Sequence, residues 1–156
     1  AGYYHSVILA RKGSDPDLAT NDFVLAYNEP LSQSGWAAPQ SIGITGVSRV
    51  QTGGHAASAQ AVMDGTADVA AIDALSWHFL SRDWDKASSL TVLTTTPTTP
   101  TLPYITALNQ DANALRHGLN RAILSLDPKD RETLQIFGLV DIKAEKYLYF
   151  PLPPTP

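Results

Sequence analysis

Three short apolar runs, at residues 23–27, 49–52 and 68–72, are each followed by a segment with helical spacing. The helices are expected from about Gly35, over 55–64 and over 74–81. A strand-then-helix alternation can bury its helices only against the faces of a largely parallel sheet joined by right-handed crossovers. The chain is therefore read as α/β, with a mainly parallel sheet flanked by helices. An earlier β-rich stretch, 4–10, ends at Arg11-Lys12-Gly13, and a short helical turn is expected at 15–18.

Each of the three later strands delivers polar residues just past its C-terminal end. Ser32, Gln33, Ser34 and Gly35 follow the first, Thr52-Gly53-Gly54-His55 the second, and Asp73 the third. In open α/β sheets that edge is where ligands sit. The run of 32–35 also opens a helix, whose first N–H groups have no internal acceptor and lie at the positive end of the macrodipole. Hydroxyls and amides in that place can hold a phosphate-like anion without a lysine.

Each of these residues has a plainer reading. Ser32 and Ser34 are ordinary helix-capping types, and Asp73 stands where the cap of the next helix belongs. His55 is either a surface residue at a helix start or a hydrogen-bond donor to a ligand oxygen. Tyr3 and Tyr4 alternate across a strand, so only one of them can face the rim. Trp77 and Trp84 read as packing, and Trp36 is open between packing and platform.

The second half changes character. A strand is expected at 91–96, followed by a proline- and threonine-rich connector at 97–103 and a further strand at 104–108. Ala112, Leu115, Leu119, Ala122, Ile123 and Leu126 recur at helical spacing, so 111–126 reads as an amphipathic helix. Asp127 and Pro128 end it and start another, with Leu134 and Phe137 facing inward. The residues from 151 onward read as an extended, exposed tail.

Composition excludes several classes. The chain has 156 residues, 44% of them hydrophobic and 17% charged, as a globular domain of this length requires. A formal charge of -4 with scattered Arg and Lys speaks against nucleic acid. With no cysteine there is neither a disulfide nor a thiolate metal site. His5, His78 and His117 have no partner at metal-ligand spacing, so neither metal nor cofactor is expected. A Ser/His/Asp hydrolase has its residue types present, but Ser32-Gln33-Ser34-Gly35 lacks the G-x-S-x-G elbow.

Taken together, Tyr3 and Ser6 as Tyr-x-x-Ser, Ala26-Tyr27-Asn28-Glu29-Pro30 leading into 32–35, Thr52-Gly53-Gly54-His55-x-x-Ser58, Asp64-Gly65-Thr66-Ala67-Asp68 running on to Asp73, and Leu102-Pro103-Tyr104 form an ordered set. The set resembles the PhnD-like phosphonate, phosphate and phosphite substrate-binding proteins of ABC transporters. The resemblance implies a type II periplasmic-binding-protein fold, with two α/β lobes closing on a small oxyanion, an ABC permease as partner and a periplasmic or extracytoplasmic location. It puts ligand contacts on Tyr3 or Tyr4, on Ser32, Gln33, Ser34 and Gly35, on His55 and on Asp73, and implies no catalysis.

Gln33 departs from the family pattern, which often has a hydroxyl at the middle position. On this reading 1–13 is a crossover strand, 14–90 the second lobe, 91–110 the return crossover, and 111–156 the C-terminal helices and tail. Most of the first lobe is then expected to be absent from the chain, as is the signal peptide, and the surface so exposed could support a dimer. A sensing domain of a receptor with the same fold is the alternative.

Overall fold

The computed structural model describes residues 1–148, so the tail expected from 151 onward lies outside the described residues. Two strands open the chain, β1 (Tyr3–Tyr4) and β2 (Ser6–Arg11), separated by His5. The single run expected at 4–10 is thus divided between two sheets. β3 (Val24–Tyr27) leads into a wide π-type turn at Gln33–Ala37 and the short helix α1 (Ala38–Ser41). β4 (Ser48–Gln51), α2 (His55–Asp64), β5 (Val69–Asp73) and α3 (Ala74–Asp83) complete the alternation. β6 (Leu90–Thr95), β7 (Thr99–Pro100), α4 (Ala112–Ser125), α5 (Pro128–Leu134) and α6 (Glu145–Leu148) follow.

The main sheet has the order β4-β3-β5-β2-β6. β3 is parallel to β4 and to β5, whereas β2 is antiparallel to both of its neighbours, β5 and β6. Four strands therefore run one way, and β2 alone runs the other. This direction has a consequence at the rim: Ser6, the first residue of β2, pairs with Asp73, the last of β5. Residues just before β2 are thereby delivered to the same edge as the C-terminal ends of the parallel strands.

Because helices or loops cover both faces, the central strands are apolar throughout instead of alternating. Val7, Leu9, Ala26, Ala70 and Ile72 pack on one face against Ala59 and Val62 of α2. Ile8, Phe23, Leu25, Val69 and Ala71 pack on the other with Ile44. α2 is stopped by Gly65, which takes a left-handed φ of 76°. Arg11 Nη2 donates to the Val62 carbonyl there at 3.1 Å, placing a cation where the helix end favours one.

β1 and β7 form a separate two-stranded ribbon, with Tyr4 opposite Thr99. Part of the proline- and threonine-rich connector is thus paired and buried. Other expectations need correction. No strand forms at 104–108, where Ile105 and Leu108 are exposed, because no strand lies alongside to share its hydrogen bonds. At 15–18 there is no helix; Asp17 instead accepts from the Ala19 N–H in a local turn. α4 forms with Asp111 as its cap, but only Ile123 on it is buried, and Leu134 and Phe137 are exposed rather than inward.

Candidate functional site

The serine turn is held from within. The Ser32 hydroxyl accepts the Gly35 N–H at 3.0 Å, and the Ser32 carbonyl accepts the N–H groups of Trp36 and Ala37. Ser32 is therefore the helix cap, the plainer of its two readings. Gly35 is required by its neighbour: a Cβ there would stand 2.0 Å from Asn28 Oδ1. Trp36 is buried, 4.9 Å from the Tyr27 ring and under the Arg49 guanidinium, so it packs instead of serving as a platform.

The second loop is tied to the first by Thr52. Its N–H and hydroxyl both donate to the Tyr27 carbonyl, and the hydroxyl lies 2.7 Å from Ser58 Oγ and 3.1 Å from the Gly54 carbonyl oxygen. The Gly53 N–H donates to the Asn28 carbonyl, with Gly53 at a φ of 83° that favours glycine. This brace sets His55 at the first position of α2, facing the serine turn. Thr52 and Ser58 had only a place in a motif in the sequence; their hydroxyls signal the brace only once the two loops are adjacent.

At the end of β5, Asp73 does two things. Its Oδ1 accepts the Ser76 N–H at 2.9 Å and caps α3, and its Oδ2 stands 3.1 Å from His55 Nε2. Burial by itself would raise the Asp73 pKa, but the hydrogen bonds from His55 and Ser76 outweigh it and hold the group at about 2. The carboxylate is thus ionised and can only accept, so the proton of a neutral His55 is on Nε2.

That same nitrogen lies 3.1 Å from Ser34 Oγ. With Nε2 protonated, Ser34 can only accept from it, so the Ser34 O–H is directed away from His55, with the Tyr4 oxygen as an acceptor in reach. His55 Nδ1 is buried without a partner among the described residues.

The last member comes from the ribbon. Tyr4 donates its hydroxyl to Gln33 Oε1 at 2.5 Å. Its pKa is raised, first by burial and then by the negative charge of Asp73, with opposing hydrogen bonds to Thr99 and Ser34. Tyr3, on the other side of the same strand, is half exposed and takes no part in these contacts. The structure thus joins Tyr4, Gln33, Ser34, His55 and Asp73 in one cluster, with Ser32 and Gly35 shaping the turn beneath it. No Lys or Arg belongs to that cluster, and among the described residues no acidic, His or Cys group is arranged to hold a metal ion. No described helix is long and apolar enough to cross a membrane.

Against known proteins, residues 1–146 match the family described as "ABC transporter, phosphonate, periplasmic substrate-binding protein". A binding protein component of an ABC phosphonate transporter from Pseudomonas aeruginosa superposes with a TM-score of 0.76 at 20% identity, over 96% of this chain and 56% of its own. PhnD1 from Prochlorococcus marinus, solved in complex with methylphosphonate, gives 0.66 at 17% identity, over 94% of this chain and 64% of its own. The periplasmic VFT2 domain of BvgS from Bordetella pertussis gives 0.52 at 16%, over 86% and 57%.

At these identities the likeness is one of fold, that of the type II periplasmic binding proteins, and this chain spans somewhat more than half the length of the structures it matches. No curated protein matches the sequence. The family match extends from β1 through the serine turn, His55 and Asp73 to α6, and on it the chain belongs to the periplasmic phosphonate-binding proteins of ABC transporters.

Proposed function

We propose that this chain supplies one jaw of a solute-binding protein that captures a small phosphonate, phosphate or phosphite-like oxyanion and presents it to an ABC permease outside the cytoplasm. The observation that carries this reading is the shared nitrogen: His55 Nε2 meets both Asp73 and Ser34, so the Ser34 O–H is not spent on His55 and can exchange its contact with Tyr4 for a ligand oxygen. Donors then predominate on the rim, from the Ser34 hydroxyl, the Gln33 amide and the first N–H groups of two helices. The methylphosphonate bound by the Prochlorococcus protein agrees with such a rim.

The ionised Asp73 can only accept, so it favours a ligand that still carries a proton over a fully ionised one. The crossover segments 4–10 and 91–108 act as the hinge, and closure follows from contacts that only the closed state completes. Ligand contact is assigned to Gln33, Ser34 and the start of α2 at His55, with Tyr4 behind Gln33, Ser32 and Gly35 shaping the turn, and Asp73 as the group that fixes the imidazole. A dimer through apolar surface that the chain leaves exposed belongs to the same reading, and sedimentation as a monomer at all concentrations removes it.

Hydrolysis is disfavoured by the same geometry. A serine nucleophile needs an imidazole nitrogen with a free lone pair beside it and the orienting carboxylate on the other nitrogen. Here both oxygens face Nε2.

Calorimetry of the chain with phosphate, phosphite, methylphosphonate, 2-aminoethylphosphonate and sulfate tests the reading, with product assayed in parallel. Stoichiometric binding without turnover is expected. Absence of binding to all five, or turnover lost in Ser34→Ala, overturns it.

A further inference from the structure

Gln33 occupies the middle of the serine turn, and its side-chain oxygen is already taken by the Tyr4 hydroxyl at 2.5 Å, near the short limit for an O–H···O bond. A primary amide whose oxygen is turned to a phenol has its –NH2 group on the other arm, which can donate twice and accept nothing. That group has no partner among the described residues, and Gln33 is half-buried on the rim beside Ser34. Without the phenol, the amide could turn over and present its oxygen to the anion instead.

Resting on the oxyanion reading above, we infer that Gln33 sets which oxyanion this chain accepts, and that Tyr4 is a positioning residue that acts through it. The raised pKa of Tyr4 keeps the phenol protonated and hence a donor. Tyr4 belongs to the ribbon of β1 and β7 and Gln33 to the lobe, so the bond also ties the hinge to the ligand rim. A hydroxyl at position 33 could donate to one ligand oxygen and accept from a protonated one. Two N–H donors beside the Ser34 hydroxyl make three, which match the three oxygens of a phosphonate better than the two of hypophosphite.

Calorimetry on the full chain separates positioning from direct contact, using methylphosphonate and hypophosphite as probes and Tyr4→Phe, Gln33→Ala and the double variant. Each single variant is expected to weaken methylphosphonate about tenfold, the size of one lost hydrogen bond to a charged group. The double variant should bind no more weakly than Gln33→Ala, since Tyr4 has nothing left to act on. Hypophosphite should change less.

Gln33→Glu keeps the acceptor for Tyr4 but replaces the donors with an anion, so it should lose methylphosphonate binding altogether. Without ligand, the Gln33 side-chain amide protons should shift in the NMR spectrum on Tyr4→Phe. Losses that add in the double variant, or amide signals indifferent to Tyr4, overturn this inference and leave the oxyanion reading standing. A wild-type chain that binds neither probe overturns both.

Discussion

Asp73 Oδ2 stands 3.1 Å from His55 Nε2 and joins the end of β5 to the start of α2. Its pKa of about 2, against an ordinary 3.8, makes this contact visible in the pH dependence of stability. A carboxylate depressed in the folded state contributes stability that is full above its unfolded pKa and is lost as pH falls through the folded one. The window is therefore from about pH 4 down to about 2.

Asp73→Asn removes the charge but keeps an oxygen to cap α3, so it isolates the electrostatic part. Thermal melts of wild type and variant should differ by a constant amount above that window and converge within it. A gap that stays the same from neutral pH down to 2 counts against the ionised pair.

Gly35 lies so close to Asn28 that a methyl group does not fit, its Cβ falling 2.0 Å from Asn28 Oδ1. Gly35→Ala is expected to destabilise the fold by about 1–3 kcal/mol, the usual cost of overpacking. Asn28→Gly in the same chain should recover most of this, because it removes the clashing atom. Urea denaturation measures both, and independent effects of the two substitutions would rule the clash out as the cause.

Much of the lobe was legible because its signals are local. Gly54 and Gly65 bracket α2, and the expected bounds 55–64 match His55–Asp64. Asp111 and Asp127 cap the helices that follow them, as their types suggest. What needed long-range pairing was not legible. The segment of Tyr3 and Tyr4 comes to the rim because β2 runs against the parallel strands, and no residue in the stretch records that direction; which tyrosine faces inward is set by the pairing of β1 with β7. The strand expected at 104–108 has the right residue types, yet strand formation depends on a neighbour that local sequence does not specify. Ser32 looked equivalent to Ser34, but one caps its own turn and the other faces His55 across 21 positions.

His55 and Ser34 should differ in how they weaken binding. His55→Gln retains a donor toward Asp73 and Ser34, whereas His55→Ala removes it and leaves Asp73 an ion without its partner beside the bound anion. Charge-assisted hydrogen bonds contribute about 1.5–3 kcal/mol, so His55→Ala is expected to cost methylphosphonate roughly ten- to a hundredfold in affinity, and His55→Gln less. Ser34→Ala loses one outward hydroxyl, and about fivefold to tenfold is expected. Calorimetry at neutral pH reads all three, and equal affinity in wild type and His55→Ala removes His55 from the site.

Thr52 offers the sharpest separation of scaffold from ligand contact. Its hydroxyl touches the Tyr27 and Gly54 carbonyls and Ser58 Oγ, and Ser58 is wholly buried. Thr52→Val keeps the shape and removes the oxygen, which leaves Ser58 Oγ with the Gly54 carbonyl but without Thr52. The cost expected is about 0.5–1.5 kcal/mol of stability. Because Thr52 and Ser58 share one bond, Ser58→Ala in the Thr52→Val background should add less than it costs alone. The brace holds His55 facing Ser34, so oxyanion affinity should fall in Thr52→Val although no ligand contact is assigned to it. Hydrogen exchange should accelerate at the Thr52 and Gly53 amides, which donate to Tyr27 and Asn28. Unchanged exchange together with unchanged affinity would show that the loop holds His55 without this hydroxyl.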